Sequence, residues 1–168
     1  MSAQSSAYVE QVGVENLAEL TQSVPSGGLN DAWIVQTGQG GHVARLEQRG
    51  GSTATVTQDG FGHRLAGFTL GEADPNAFAL SFDGSELVLR QVAGVNSQAF
   101  VEQRDGAFAE ILQSGSDNLA YLRQGGGAGN QAYIDQAGGS LARITQDGTG
   151  NFARVTQTGT GNTAHIYQ

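Results

Sequence analysis

The chain has 168 residues, with 26 Gly, no Cys, and eight Arg against sixteen acidic residues, which gives a formal net charge of −8. This acidity, with arginines scattered singly, argues against a nucleic-acid partner, because neutralising phosphates needs clustered Lys or Arg. No apolar run is long enough to span a bilayer, so we expect no membrane insertion. Abundant Gly, Gln, Asn, Ser and Thr favour turns and polar strands over a Leu-rich helical core.

One pattern, Asn/Ser-x-Ala-x-apolar-x-Gln, recurs along the chain in fifteen copies. In chain order the copies occupy residues 5–11, 16–22, 30–36, 42–48, 52–58, 64–70, 76–82, 85–91, 97–103, 107–113, 118–124, 130–136, 140–146, 151–157 and 162–168. The specified positions lie two residues apart, which is the side-chain period of a β-strand, so they share one face. Segments rich in Gly, Asp and Asn between the copies predict tight arcs.

These spacings predict an all-β fold, a two-sheet parallel β-solenoid with cross-β rungs of about 22 residues, strand-arc-strand, and roughly 7.5 rungs. Residues 1–4 are predicted to be a short N-terminal tail and residues 5–168 a single solenoid. Small Ala residues opposite branched residues would fill a thin core without voids. The predicted inward apolar residues are Ala18, Ala32, Ile34, Ala120, Ala132, Ile134, Ile144, Ala153, Val155, Ala164 and Ile166.

The amides at the two ends of each inner face recur at the rung spacing. Each can donate to the side chain on one side and accept from the side chain on the other, which satisfies polar groups that are costly to bury. The predicted ladder residues are Asn16, Gln22, Asn30, Gln36, Gln48, Gln58, Gln91, Gln103, Gln113, Asn118, Gln124, Asn130, Gln136, Gln146, Asn151, Gln157, Asn162 and Gln168.

Residues 60–84 depart most from the pattern. Arg64 stands in the Asn position, Leu70 and Phe82 stand in the Gln position, and Pro75 lies in an arc. Two interrupted ladder positions and one missing backbone donor predict the weakest part of the stack. Hydrogen exchange should therefore find faster amides at residues 60–84 than at residues 113–168.

No segment predicts a catalytic site or a cofactor. The Gly-rich stretches 38–41 and 125–129 lack the helix and the Lys-Ser/Thr pair of a phosphate-binding loop, so we interpret them as arcs. Residues 147–151 are similar to a calcium-binding nonapeptide repeat, but the spacing does not recur in neighbouring rungs. The acidic residues of the arcs and outer faces either keep the array soluble or act as gatekeepers against early self-assembly.

The three histidines, His42, His63 and His165, have no mutual spacing suitable for a metal site. Two of them lie in or beside arcs. We interpret them as solvated turn residues, and we predict no metal site.

The repeat begins by Ser5 and runs to Gln168, without the atypical polar caps of monomeric solenoids. The terminal strands also lack the Pro, Lys or covering helix that protects sheet edges. These features favour end-to-end stacking. A monomeric β-solenoid adhesin or passenger domain stays open as the alternative, since shape alone does not exclude it. An ice-binding solenoid needs flat outward Thr rows, and only residues 52–58 show one.

Extended to Gln-x-Gly-x-x-Asn-x-Ala-x-x-x-Gln, the motif resembles the curlin repeat of bacterial curli subunits. Residues 11–22, 113–124, 146–157 and 157–168 match it at every defined position, and the resemblance covers about residues 5–168.

The resemblance implies a structural subunit of an extracellular, cell-surface functional amyloid fibre that polymerises head to tail in the biofilm matrix and supports adhesion and surface colonisation. It implies a nucleator subunit and an outer-membrane secretion apparatus as partners, and fibre-core roles for the inward residues. The regular final repeat and the net acidity favour the major subunit over the nucleator. Residues 1–11 resemble neither a signal peptide nor a Gly-rich secretion segment, so the numbering is expected to begin at a mature or engineered start.

Overall fold

The computed structural model describes residues 5–23 and 28–168. Over these ranges all regular structure is β, in sixteen strands. They are β1 (Ser6–Gln11), β2 (Leu17–Ser23), β3 (Asp31–Gly40), β4 (Val43–Arg49), β5 (Thr53–Phe61), β6 (Arg64–Thr69), β7 (Glu72–Asp74), β8 (Ala79–Phe82), β9 (Glu86–Val92), β10 (Gln98–Gln103), β11 (Phe108–Ser114), β12 (Leu119–Gly125), β13 (Gln131–Ala137), β14 (Leu141–Asp147), β15 (Phe152–Thr158) and β16 (Thr163–Tyr167).

The strands form two parallel sheets that the chain visits in turn. Sheet A contains β1, β3, β5, β9, β11, β13 and β15, and sheet B contains β2, β4, β6 with β8, β10, β12, β14 and β16. One strand from each sheet makes a coil, so the described residues form seven coils. The predicted all-β, two-sheet parallel solenoid is confirmed, and the expected count of roughly 7.5 rungs is corrected to seven.

Neighbouring coils are in register, motif position over motif position. Ala132 of β13 pairs with Ala153 of β15, and Gln136 pairs with Gln157. Alternation of buried and exposed residues along each strand then places every second side chain in the core. Of the predicted inward apolar residues, Ala32, Ile34, Ala120, Ala132, Ile134, Ile144, Ala153 and Val155 are buried, whereas Ala18, Ala164 and Ile166 of the end coils are half-buried and pack against the core.

The third coil contains an excursion. Arg64 and Leu65 of β6 pair with Val43 and Ala44 of β4. The chain then leaves the sheet as an antiparallel hairpin of β6 with β7, and β8 returns to pair with β4 farther along the same strand. The copies predicted at 64–70 and 76–82 are therefore two halves of one strand. The solenoid has fourteen strand positions rather than fifteen, and Gln58 pairs directly with Gln91 across 33 residues.

The two halves fit because large and small residues exchange places. Leu65 lies level with Ala44, where the motif has Ala, and Ala79 lies level with Leu46, where the motif has an aliphatic residue. Both are fully buried. The core volume is kept although the residues at the two positions are reversed. Each motif position is thus occupied by the residue one place earlier than predicted, and His63, not Arg64, occupies the Asn position.

The predicted interruptions at Leu70 and Phe82 are wrong. Leu70 lies in the hairpin turn, fully exposed, with φ 50°. Phe82 is on the outer face, where the guanidinium carbon of Arg49 lies 4.9 Å from its ring centroid. Pro75 lies in the connection between β7 and β8, so its missing N–H breaks no bond between coils. Ser81 occupies the Gln position instead, which leaves one interrupted position rather than two.

Candidate functional site

A continuous chain of side-chain hydrogen bonds runs through all seven strands of sheet A. The Nε2 to Oε1 distances are 2.6 Å for Gln11 to Gln36, 2.8 Å for Gln36 to Gln58, Gln58 to Gln91 and Gln91 to Gln113, 3.0 Å for Gln113 to Gln136, and 3.1 Å for Gln136 to Gln157. At every step the amide nearer the N-terminal end donates and the amide nearer the C-terminal end accepts. The row therefore has a direction.

The same amides also tie the two sheets together. The Nε2 of Gln36 donates to the backbone oxygen of Leu17 in sheet B at 3.1 Å, and the Nε2 of Gln157 donates to the oxygen of Leu141 at 3.0 Å. A primary amide has two N–H groups, so one serves the neighbouring coil and the other serves the opposite sheet. The free-energy cost of burying these amides is offset by their hydrogen bonds to the neighbouring coil and to the opposite sheet.

The corresponding row in sheet B is broken at the third coil. Its Nε2 to Oε1 distances are 3.0 Å for Gln22 to Gln48, 3.0 Å for Gln103 to Gln124, 2.7 Å for Gln124 to Gln146 and 3.0 Å for Gln146 to Gln168. Between Gln48 and Gln103 stands Ser81, whose side chain is too short to continue the row. The Oε1 atom of Gln103 is consequently buried with no hydrogen-bond partner among the described residues.

The Asn side chains bond to backbone rather than to one another, so the predicted Asn ladder is wrong. Asn130 donates through Nδ2 to the backbone oxygens of Gly125, Gly127 and Gly148, and its Oδ1 accepts from the N–H of Asn151. An Nδ2 bond to a preceding backbone oxygen is shared by Asn16, Asn30, Asn118, Asn130, Asn151 and Asn162. These residues hold the arcs closed.

His42 and His63 fill the Asn position in two adjacent coils. They are fully buried and their rings stack at 5.3 Å, so the interpretation as solvated turn residues is wrong for both. Their Nε2 atoms lie 2.8 and 3.0 Å from the backbone oxygens of Thr37 and Asp59. Their Nδ1 atoms face the backbone N–H groups of His63 and Ser97. Burial lowers the pKa of His63 below its ordinary value of 6.5.

The β6–β7 hairpin covers part of the outer face of sheet B. Phe68 on the hairpin lies 6.4 Å from Phe100, which stacks on Tyr121 at 5.3 Å. The guanidinium of Arg143 lies 4.8 Å from the centroid of Tyr121 on its other side. An open groove of about 520 Å³ runs between the hairpin and these residues. The aromatic rings and the guanidinium group beside this groove contact one another.

Within residues 5–23 and 28–168, no group of three or more His, Cys, Asp or Glu residues could hold a metal ion. The same part of the chain has no helix long and apolar enough to cross a membrane.

The two end coils present opposite ends of the amide rows. At the N-terminal end, the Oε1 atoms of Gln11 and Gln22 receive no bond from another amide of the described residues. At the C-terminal end, Gln157 and Gln168 donate to no further Gln within residues 5–23 and 28–168. β1 is exposed along its whole length, and Ala164 and Ile166 of β16 are half-buried. One end therefore offers amide acceptors and the other offers amide donors.

Comparison with known proteins identifies the repeat. The searches of curated proteins and of solved structures found no match to the chain. The family model of the curlin associated repeat matches residues 105–138 and 139–168, which span the fifth to seventh coils. Proteins of this family are structural and form extracellular fibres. The matched coils carry the Ala, aliphatic and Gln rows described above, and residues 105–168 consist of curlin associated repeats.

Proposed function

We propose that the chain is a structural subunit of an extracellular functional amyloid fibre, which grows by head-to-tail addition of copies. The observation that carries the proposal is the direction of the two amide rows, with acceptors at the N-terminal end and donors at the C-terminal end. A second copy can continue both rows without a change of shape. The inward Asn, Ala, aliphatic and Gln residues would then be fibre-core residues.

The strands of the two end coils support continuous stacking. The first described coil consists of β1 in sheet A and β2 in sheet B, and the last consists of β15 in sheet A and β16 in sheet B. A second copy can thus place β1 beside β15 and β2 beside β16, which keeps sheet A on sheet A. Such a heterologous contact does not close on itself, so it propagates as a filament.

The cross-sheet bonds support the same placement. Inside the molecule, the Nε2 of Gln157 reaches the oxygen of Leu141, the first residue of β14 in the preceding half-coil. Among the described residues, the side chain of Gln11 makes only its bond to Gln36. In the proposed contact, the oxygen of Thr163 in β16 takes the place of the Leu141 oxygen, and the second N–H of Gln11 gains the acceptor that every inner sheet-A Gln has.

The cellular part of the proposal comes from the resemblance to curli subunits. We assign the chain to the major subunit of a biofilm-matrix fibre that supports adhesion and surface colonisation, since its last coil is as regular as the inner ones and its net charge is −8. A nucleator subunit and an outer-membrane secretion apparatus are the expected partners.

The test begins with purified, desalted protein. We expect concentration-dependent thioflavin fluorescence, filaments in negative-stain microscopy, and fibre diffraction with a spacing of about 4.7 to 4.8 Å along the fibre axis. A protein that stays monomeric at all concentrations, without a thioflavin signal, would instead be the adhesin or passenger domain considered above.

A variant of the last strand tests the growing end. Replacing Ala164 by Pro removes an N–H that faces β14, and replacing Ile166 by Asp places a charge in the core of the last coil, so β16 no longer presents an ordered edge. We expect most coils to remain folded, by circular dichroism, while elongation from that edge is lost. The control Thr160→Asp adds the same charge in the adjacent arc and should elongate like wild type. Wild-type kinetics in the double variant would show that β16 is not a polymerisation surface.

A further inference from the structure

The two end coils differ in charge. Residues 5–23 contain three acidic residues, Glu10, Glu15 and Glu19, and no basic residue. Residues 148–168 contain Arg154 and His165 and no Asp or Glu. In a chain with a net charge of −8, the last coil is thus locally basic and the first coil is acidic.

Three of these charged residues, Arg154, His165 and Glu19, lie in outward rows of the two sheets. On sheet A, Arg154 of β15 pairs with Tyr133 of the preceding coil, and at the other end of that row Tyr8 pairs with Trp33. On sheet B, His165 of β16 pairs with Arg143, and Glu19 of β2 pairs with Arg45. All of these pairs occupy the fourth position of the motif.

The N-terminal end of the sheet-A row is already arranged for a cation. The ring of Tyr8 stacks on Trp33 at 4.0 Å, and its hydroxyl donates to a carboxylate oxygen of Glu10 at 2.9 Å. A stacked aromatic face beside a carboxylate attracts a guanidinium through both groups. Among the described residues, Arg154 forms no ion pair. The basic group at one end and its matching site at the other are therefore both available.

We propose that successive copies of this chain are joined through these charged end coils, with Arg154 of one copy on Tyr8 and Glu10 of the next. The inference rests on the proposed function, because it specifies the contact through which the fibre grows. In the in-register contact, β1 of the next copy lies beside β15, so Tyr8 becomes the row neighbour of Arg154. Glu10 is two residues farther along β1, within reach of the long Arg side chain.

The sheet-B row makes a second, smaller contribution. In the same contact β2 of the next copy lies beside β16, so His165 becomes the row neighbour of Glu19. The ring N–H can donate to the Glu19 carboxylate, which also accepts from Nε of Arg45 within its own copy. Arg143 flanks His165 from β14, and the Tyr167 ring lies 6.3 Å from it on β16.

The charge pattern also selects the direction of association. Two copies meeting through their first coils would bring Glu10, Glu15 and Glu19 against the same three residues. Two copies meeting through their last coils would bring Arg154 against Arg154. Like charges in contact oppose both arrangements, whereas first coil on last coil brings opposite charges together.

A charge-reversal cycle tests the inference by seeded elongation kinetics. For Arg154→Glu and for Glu10→Arg we expect elongation about tenfold slower than wild type at low salt. The chain carrying both reversals should recover most of the rate, because each joint then pairs Glu at 154 with Arg at 10. At about 1 M salt the Debye length falls to about 3 Å, so the differences should shrink.

Arg90→Glu is the matched control, since Arg90 lies on the outer face of β9 in an inner coil of the same sheet. Urea unfolding of each soluble monomer separates a folding defect from a joining defect. If Arg154→Glu elongates like Arg90→Glu at every salt concentration, or if the double reversal is no faster than the singles, the charged joint is overturned while the fibre itself stands. A wild-type chain that forms no fibre overturns the proposed function and the joint together.

Discussion

The same place in sheet B is filled in two different ways in the third and sixth coils. In the sixth coil, the sheet-B strand is β14, which has seven continuous residues and contributes Ala142, Ile144 and Gln146 to the interior. In the third coil, the sheet-B strand is split by a hairpin into β6 and β8, and the interior residues are Leu65, Ala79 and Ser81. The stack therefore constrains the inner face and not the continuity of the chain.

The comparison also separates two kinds of tolerance. Packing depends on summed volume, so exchanging large and small apolar residues leaves the core filled. A hydrogen-bond row depends on reach, and a Ser cannot bridge the space between two coils that a Gln bridges. The third coil thus keeps its core but leaves the Oε1 atom of Gln103 without a hydrogen-bond partner in the described part of the chain.

The largest effect is expected from breaking the size exchange. Leu65→Ala should destabilise the protein by about 2 to 5 kcal/mol, because it leaves a cavity beside Ala79. Ala79→Leu alone should cost about 1 to 3 kcal/mol through overpacking. Since the double substitution restores the order of the other coils, we expect its cost in urea unfolding to be well below the sum of the singles. Additive costs would show that the two sites do not compensate each other.

A substitution in the continuous amide row of sheet A should lower the free energy of unfolding by nearly as much. Gln136→Leu removes the donations to Leu119, Ser140 and Gln157, and leaves several buried groups unpaired. We expect a loss of about 3 kcal/mol in the free energy of unfolding. Gln131→Leu, on the exposed face of the same strand, is the control and should change stability by less than about 0.5 kcal/mol. Equal effects of the two would mean that the row does not stabilise the stack.

Adding an amide at the interrupted position of sheet B should complete the hydrogen-bond row in the third coil. Ser81→Gln places an amide between Gln48 and Gln103, where it can donate to the free Oε1 atom of Gln103 and accept from Nε2 of Gln48. We expect a gain of about 1 kcal/mol, seen as a higher urea midpoint with unchanged slope. Ser81→Ala serves as the control for loss of the hydroxyl. A destabilised Ser81→Gln would indicate that the split strand leaves no room for a longer side chain.

The smallest effect is a pH dependence confined to the second and third coils. The folded state binds a proton at His63 less readily than the unfolded chain does, because burial lowers the pKa of the ring below 6.5. The stability is therefore complete above pH 6.5 and falls as the pH drops below that value. The neighbouring charges are those of His42, which lowers the pKa further, and Asp59, which opposes the shift.

Unfolding midpoints at pH 7.5 and 5.5 measure this dependence. His63→Asn restores the residue that the motif has at this position in the fifth and seventh coils, Asn118 and Asn162, and should flatten the profile. His165→Asn, on the exposed face of β16, is the control. If the wild-type profile persists in His63→Asn, the buried ring is not its source.

The sequence by itself determined the architecture. The two-residue spacing of Ala, aliphatic residue and Gln dictates one buried face per strand, and the short Gly-rich segments permit only arcs between strands, so parallel stacking follows. The curlin-type spacing of Gln, Gly, Asn, Ala and Gln was equally visible. These features are local, and each copy repeats them independently.

Only the tertiary structure decided what depends on the neighbouring coil. The sequence of residues 64–82 does not show by itself which side chains face the core, because two alternating patterns fit it. One pattern places Ala66 and Phe68 inward, and the other places Leu65 and Ala79 inward. The adjacent Ala44 and Leu46 select the second pattern by packing. Likewise, Asn side chains bond to arcs because the positions above them are mostly Ser, His or Ala. His42 and His63 are buried because each covers the other, a contact between residues 21 apart.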